Sequence, residues 1–247
     1  VTKELDGSAT FEIPPVGYVA GVPGARGMGN VQLEVTVRER ATGYAEKTSR
    51  LLTISAAAET LQLVPESSSF KPGLPLNLLL VAETPDNKPL DLMADVRVIY
   101  WDKQFKELRT DHRELKVEKG KALLTVTPPG DAVSLRADAF VLQVSSQTPP
   151  AQTGLSLSSG HSPSGNFIHV EQAVPGPWKV GDQARFRVHS TSRAVNFYYE
   201  VVARGKVVFS GHSSSAELSF TITPLMAPSA RLLVYQVLPN SEVAADY

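Results

Sequence analysis

The feature that most constrains this chain is a turn-and-strand pattern that occurs twice. Residues 70–81 read FKPGLPLNLLLV, and residues 178–188 read WKVGDQARFRV. Each copy has an aromatic residue, a lysine, a glycine two positions after the lysine, and then a strand-like run. Lys71 and Lys179 lie 108 residues apart, and one β-sandwich domain has about 100 residues. A pattern that returns at domain spacing predicts tandem sandwiches.

Four residues of this pattern are expected to act as structural anchors. In the first copy, Pro72 presets φ and Gly73 permits a positive φ, so the following strand begins at a fixed angle. In the second copy, Gly181 stands at the glycine position and Trp178 at the aromatic position.

Composition excludes several classes of function. The 247 residues are 42% hydrophobic and 20% charged, as expected of a soluble globular protein. The formal net charge of −1 gives no basis for binding nucleic acid or an anionic membrane. No apolar run approaches the about 20 residues of a membrane-spanning helix, so we expect no membrane insertion. Cysteine is absent, which excludes disulfides, thiolate metal sites and cysteine nucleophiles.

The start of the chain suggests a longer parent protein. Residues 1–6 read VTKELD, which is polar, lacks an initiator methionine and does not resemble a signal peptide. We therefore interpret the chain as a piece of a longer protein.

Strand signals dominate the sequence and predict an all-β fold of antiparallel sandwiches. Apolar and polar residues alternate in short runs, and 17 glycines and 18 prolines separate them at sandwich-like intervals. The predicted parts are residues 1–56, 57–148, 149–165 and 166–247. The first holds a strand at 9–13 and a hairpin turned at 40–43, as the closing part of a domain whose front is missing. The second and fourth are sandwiches, and the Ser/Pro/Gly-rich third is a flexible linker.

No residue pattern predicts a catalytic, cofactor-binding or metal site, and we expect no enzyme activity. The glycine-rich run at 24–29 lacks the preceding strand and following helix of a phosphate-binding loop, and the serines at 213–215 lack a nucleophile elbow. The acid pairs are interpreted as solubilising charge rather than hydrolytic carboxylates, and the histidines lack metal-ligand spacing. These groups are Asp91/Asp95, Asp111/Glu114, His112, His161, His169, His189 and His212.

A charged run is the one candidate for partner docking. Residues 103–121 hold seven basic and four acidic residues, with Phe105, Leu108 and Leu115 between them. The spacing of these apolar residues permits a short amphipathic helix. We favour a protruding hairpin, because β-propensity resumes at residues 115–117. Its cations form either a solvated face or a docking patch for a partner or a heparin-like polyanion: Lys103, Lys106, Arg109, Arg113 and Lys116.

Several motifs together resemble the α2-macroglobulin and complement component three, four and five superfamily. Residues 70–75 with 85–89 resemble the "KPG-P" strand and "NPDG-P" turn of macroglobulin-like domains. Residues 198–199, 204–211, 227–235 and 242–246 resemble the fifth macroglobulin domain in order and spacing. Residues 6–8 with the hairpin resemble the end of the third domain. Residues 202–211, VARGKVVFSG, resemble cell-surface or pregnancy-zone-protein-like members more than complement.

The resemblance implies tandem fibronectin-III-like (macroglobulin-like) antiparallel β-sandwiches: the end of domain three, all of four and most of five. It further implies an extracellular, non-catalytic scaffold for protease trapping or innate-immune opsonisation. The partners would be other domains of the parent chain and, beyond them, proteases or immune receptors.

Three departures from the family pattern stand out. The family's Cys-Gly-Glu-Gln thioester is impossible in a chain without cysteine. Nothing in the chain is expected to correspond to the protease-sensitive bait region. The fifth domain is expected to lack its last strand, and downstream chain would then cover the sheet edge.

The alternative functions belong to other classes. One is a cell-surface adhesion or receptor module without a thioester. Another is an accessory carbohydrate-binding sandwich, which would need a surface row of exposed tryptophan and tyrosine, and the chain has two tryptophans.

Overall fold

The fold is built almost wholly from β-strands. The computed structural model describes residues 7–13, 28–55, 59–142, 150–193 and 196–247. Within these ranges the non-strand element is one turn of 3-10 helix, Pro224–Met226. No helix in the described ranges has the length and hydropathy needed to span a membrane. The all-β prediction is confirmed.

An antiparallel hairpin precedes the sandwiches. Strands β1 (Met28–Arg38) and β2 (Ala45–Ser55) pair so that Val37 lies opposite Glu46. Gly43, at φ +74°, lies in the connecting turn, as the sequence predicted. Both faces of the hairpin expose apolar side chains, including Val37 and Leu51. The predicted strand at 9–13 is wrong: these residues have no regular secondary structure in the described part of the chain.

The first sandwich contains eight strands in two facing sheets. They are β3 (Thr60–Pro65), β4 (Ser69–Phe70), β5 (Leu76–Glu83), β6 (Leu92–Trp101), β7 (Glu107–Val117), β8 (Lys121–Val126), β9 (Ser134–Val141) and β10 (Gln152–Ser159). One sheet has the order β3–β5–β8 and the other β4–β10–β9–β6–β7. Alternation along β5 buries Leu76, Leu78 and Leu80 against the second sheet, where Val98 and Tyr100 face them in one core.

The second sandwich has seven strands. They are β11 (Ile168–Gln172), β12 (Gln183–Ser190), β13 (Phe197–Ala203), β14 (Lys206–Ser213), β15 (Glu217–Thr221), β16 (Arg231–Val237) and β17 (Val243–Asp246). The sheets have the orders β11–β12–β15 and β14–β13–β16–β17. The β13–β14 hairpin turns at Arg204 and Gly205, both with positive φ, as a two-residue hairpin turn of this kind requires.

The two sandwiches share one topology. Apart from the two-residue β4, each packs its first, second and fifth strands against its third, fourth, sixth and seventh. The β17 strand pairs with β16, as β10 pairs with β9, and therefore occupies the last-strand position. The expectation that the second sandwich lacks its last strand is wrong.

The predicted linker at 149–165 is also wrong in its central part. Residues Gln152–Ser159 form β10, so the first sandwich extends beyond the predicted boundary at 148. Leu157 is buried in the core and Leu155 packs against it. Gly154 lies beneath Asp138 of β9, so closely that a Cβ atom there would clash with that carboxylate. Gly154, one of the residues that suggested a flexible spacer, is therefore required by its neighbour on β9.

Candidate functional site at the junction of the sandwiches

The two glycine turns adopt equivalent structures. Gly73 has φ +79° and Gly181 has φ +96°, a region that glycine enters without steric cost. The Gly73 N–H donates to Pro128 O at 3.0 Å, and the Gly181 N–H donates to Ile222 O at 2.8 Å. Pro72 is buried. Each turn is thus tied to the end of a strand in its own sandwich.

The aromatic residue before each turn packs into the core of its sandwich. Phe70 is almost fully buried among the strands of the first sandwich. Trp178 is half-buried and meets Phe186 edge-on, with ring centroids 5.4 Å apart. The repeated pattern therefore marks the same structural position in both domains.

Lys71 connects the two sandwiches. Its Nζ donates to the carbonyl of Ile168 at 2.8 Å and lies 2.6 Å from Oδ1 of Asp246. Ile168 begins β11 and Asp246 ends β17, so one lysine of the first sandwich contacts both the first and last strands of the second. The side chain of Lys179, its counterpart in the second turn, is exposed and has no such contact among the described residues. Sequence reasoning missed this role of Lys71.

Asp246 is the polar centre of the junction. Its Oδ2 accepts the Val170 N–H at 2.8 Å and lies 3.4 Å from Nδ1 of His169. Burial raises the pKa of Asp246, but hydrogen bonds from His169, Lys71 and Val170, with the charge of Lys71, outweigh it. The pKa falls from 3.8 to about 2, so the carboxylate is ionised at neutral pH.

Two histidines lie beside this carboxylate on neighbouring strands. The register of β11 and β12 places His169 opposite His189, and their rings stack with centroids 6.1 Å apart. His189 Nε2 lies 3.1 Å from Oε1 of Glu171. The sequence showed no His pair, because residues far apart in the chain meet only through strand register. No group of three potential ligands suited to a metal occurs among the described residues.

A cleft of about 390 Å³ opens between the sandwiches. Ser69 and Lys71 line it from the first sandwich, and Ile168 and Ala245 line it from the second. The loop at 160–167 closes one side, where Ser162 Oγ donates to Glu242 Oε1 at 2.8 Å. Lys71, which lines the cleft, is already paired with Asp246. The cleft therefore marks the contact between the two sandwiches.

The charged run forms a hairpin, as favoured, and not a helix. Strand β7 pairs antiparallel with β6 along its whole length. Arg109 has a structural role: Nε and Nη2 bind both oxygens of Asp111 at 2.9 and 3.0 Å, and Nη2 donates to Thr127 O at 2.6 Å. Its guanidinium lies over the ring of Tyr100, whose hydroxyl donates to Asp111. Burial and the Asp111 charge raise the pKa of Tyr100.

The five predicted docking cations do not form one patch. Lys103 and Lys106 lie at the hairpin tip and are exposed. Arg113 lies opposite Val96 and so shares the core-side face with Arg109, whereas Lys116 lies opposite Met93 on the other face and pairs with Glu118 at 2.6 Å.

Two other candidate groups form hydrogen bonds with the backbone. Asp91 accepts the Lys119 N–H at 2.6 Å, and Ser213 Oγ donates to Ser215 O at 3.0 Å. Most of the glycine-rich run at 24–29 lies outside the described residues.

Comparison with known proteins finds related sequences. A family model described as the alpha-2-macroglobulin bait region domain matches residues 168–247. Complement C3 of Eptatretus burgeri is 26% identical over 191 residues, and complement C3 of Lethenteron camtschaticum is 26% identical over 197 residues. These matches support the resemblance to the α2-macroglobulin and complement C3-like family. The sequence resemblance is confirmed.

The matches also correct one expectation drawn from the resemblance. The bait region domain model covers β11 to β17, so the expectation that nothing here corresponds to that region is wrong at the level of the domain. The curated relatives, including cobra venom factor of Naja kaouthia at 26% identity, match 72–73% of this chain. The chain spans about 11% of their length. These relatives do not support the predicted resemblance of residues 202–211 to cell-surface or pregnancy-zone-protein-like members.

Solved structures also match the chain, at low identity and low TM-score. A Salmonella alpha-2-macroglobulin mutant matches 87% of this chain and 18% of that chain, at 9% identity and a TM-score of 0.37. A tetra-tandem repeat from a large adhesion protein matches 89% of this chain and 55% of that chain, at 12% identity and a TM-score of 0.31. These values are too low to support an inference about function.

Proposed function

We propose that this chain is a non-catalytic scaffold within an extracellular protein of the α2-macroglobulin and complement C3-like family. The parent acts in protease trapping or innate-immune opsonisation. The two sandwiches hold other domains of the parent at a fixed relative orientation, and their surfaces contact those domains and, in turn, proteases or immune receptors.

The Lys71 junction is the observation that carries this proposal. A scaffold must resist rotation between its domains, and linked sandwiches otherwise move relative to one another. Lys71 opposes rotation because it contacts the Ile168 carbonyl and the Asp246 carboxylate at once. Its side chain is 26% exposed and that of Asp246 is 17% exposed, so the pair is better shielded from water than a surface ion pair.

The state of the polar groups supports a non-catalytic role. Asp111, which the sequence offered as half of an acid pair, is bound by Arg109 and Tyr100. Asp246, the carboxylate at the cleft, is bound by Lys71 and Val170. A general acid or base must exchange a proton near its operating pH, and a carboxyl group with a pKa of about 2 remains ionised there.

The scaffold role is tested by the distribution of distances between the sandwiches. The chain has no cysteine, so cysteines introduced at the exposed Ser156 and Ser219 can carry spin labels for pulsed electron paramagnetic resonance. We expect a narrow distance distribution that Lys71→Met broadens and Lys179→Met leaves unchanged. Equal widths for all three proteins would reject the junction as the source of rigidity.

The role of the parent is tested by its reactivity. Methylamine treatment of the full-length protein, followed by measurement of free thiol, reports a thioester elsewhere in the parent. Thiol release supports a covalent trap or opsonin. Absence of release rejects that function and leaves the cell-surface module as the function to test next.

A further inference from the structure

The tip of the β6–β7 hairpin exposes a phenyl ring. Phe105 is 84% exposed, more than any other large hydrophobic side chain in the described part of the protein. Its backbone has φ +59°, in the left-handed region that disfavours bulky residues. The other non-glycine residues with positive φ in the described ranges are polar: Asn87, Lys119, Arg204 and Ser241.

Stability of the fold does not explain a phenylalanine at this position. A ring that remains in water contributes little hydrophobic stabilisation, and asparagine or glycine would fit this backbone with less strain. Strain without a gain in packing is a feature of functional sites.

The tip is also rigid. Asp102 Oδ1 accepts the N–H groups of Gln104 and Lys106 at 2.8 and 2.9 Å. The Phe105 N–H donates to Asp102 O at 3.0 Å, and the Asp102 N–H donates to Lys106 O at 3.0 Å. Because these bonds hold the turn before any partner arrives, the ring is presented with little further loss of conformational entropy.

Residues 102–106 hold two lysines and one aspartate, a net charge of +1. The Asp102 carboxylate is directed at the turn amides, and the neighbouring Glu107 accepts the Thr110 hydroxyl at 2.7 Å. Lys103 and Lys106, which flank Phe105, are exposed, and neither forms an ion pair among the described residues. A ring between two available cations is complementary to an apolar depression bordered by carboxylates.

We propose that the hairpin tip, defined as residues 102–106, docks onto an acidic protein surface, with Phe105 inserted in an apolar depression and Lys103 and Lys106 paired with its carboxylates. The tip thus replaces the five-cation patch expected from the sequence. The proposal deepens the interaction part of the proposed function and is independent of the Lys71 junction.

The docking chemistry is tested by selecting peptides that bind the whole chain from a random peptide library displayed on phage. We expect the enriched peptides to combine Asp or Glu with one large apolar residue. Phe105→Asn, whose side chain tolerates positive φ, is expected to weaken their binding by at least about tenfold. Leu123→Thr, which removes an exposed leucine on β8, is expected to leave binding unchanged. The double variant Lys103→Gln with Lys106→Gln should weaken binding and reduce its dependence on salt.

Thermal unfolding distinguishes docking from folding. We expect Phe105→Asn to retain or raise the melting temperature of the first sandwich, because it relieves backbone strain. A fall by about 4 °C or more would mean that the ring stabilises the fold and would overturn the argument.

Other outcomes would also overturn the proposal. Enriched peptides without acidic residues, or binding unaffected by Phe105→Asn, would exclude an acidic protein surface. Phe105-dependent binding to vesicles of phosphatidylserine and phosphatidylcholine would assign the tip to a membrane. Phe105-dependent self-association in sedimentation velocity would assign it to a second copy of this chain. None of these results alters the distance measurement at the Lys71 junction, so the two proposals can fail separately.

Discussion

Replacing Asp246 by asparagine removes the charge at the junction and keeps the size of the side chain. The variant retains an oxygen that can accept the Val170 N–H, but it leaves Lys71 without its counter-charge. Because Asp246 is mostly buried, water restores little of the lost interaction.

The pKa of Asp246 sets the size of the effect. A fall from 3.8 to about 2 on folding corresponds to roughly 2 kcal/mol of stabilisation by the ionised form. The folded-state pKa is the lower one, so this stabilisation is complete above the unfolded-state value and is lost as the pH falls towards 2. Asparagine mimics the protonated carboxyl. We therefore expect Asp246→Asn to cost roughly 2 kcal/mol at about pH 7 and much less at about pH 2.5.

Urea unfolding followed by tryptophan fluorescence measures this cost for the second sandwich. The chain has two tryptophans, so a Trp101→Phe background leaves Trp178 to report on the core that contains it. Asp86→Asn is the control, because Asp86 pairs with Lys88 on the exposed surface of the first sandwich. It should leave the Trp178 transition unchanged.

Two results would refute this reasoning. A loss below about 0.5 kcal/mol at neutral pH would mean that the junction is no stronger than a surface ion pair. A loss of the same size at both pH values would mean that it arises from packing and not from the charge.

The remaining predictions concern backbone positions that only glycine fits. Gly73→Val should destabilise the first sandwich by more than about 1 kcal/mol, because φ is +79° there. Gly130→Val, at an open position without positive φ, is the control. An unchanged melting temperature for both variants would show that valine at position 73 causes no backbone strain. Gly211→Ala should cost about 2 kcal/mol in denaturant unfolding, because the new Cβ atom would clash with the ring of Tyr199. Wild-type stability for Gly211→Ala would mean that the ring moves aside without loss of packing.

Much of the fold could be predicted because the relevant signals are local. Short runs of alternating apolar and polar residues, separated by glycine and proline, predicted the all-β fold that the structure has. Gly73 was expected at positive φ because of the proline before it and the strand after it. The β10 strand was missed because its serines and its glycine are also typical of linkers, and only the tertiary structure shows that the side chain of Asp138 leaves no room for a Cβ atom at Gly154.

The candidate site could not be predicted in the same way. Lys71 and Asp246 lie in different sandwiches, and His169 and His189 lie on different strands. The sequence predicted that Arg109 is an available cation. The register of β7 against β6 instead places it over Tyr100 and beside Asp111.

By itself, the sequence determined the all-β class, the tandem repeat, the turns and the family resemblance, because alternation, turn residues and ordered motifs depend on near neighbours along the chain. The tertiary structure alone decided which charges meet, which cations remain available and how the sandwiches are joined. Those pairings depend on strand register and on the packing of one domain against the next, which bring together residues that are far apart in the sequence.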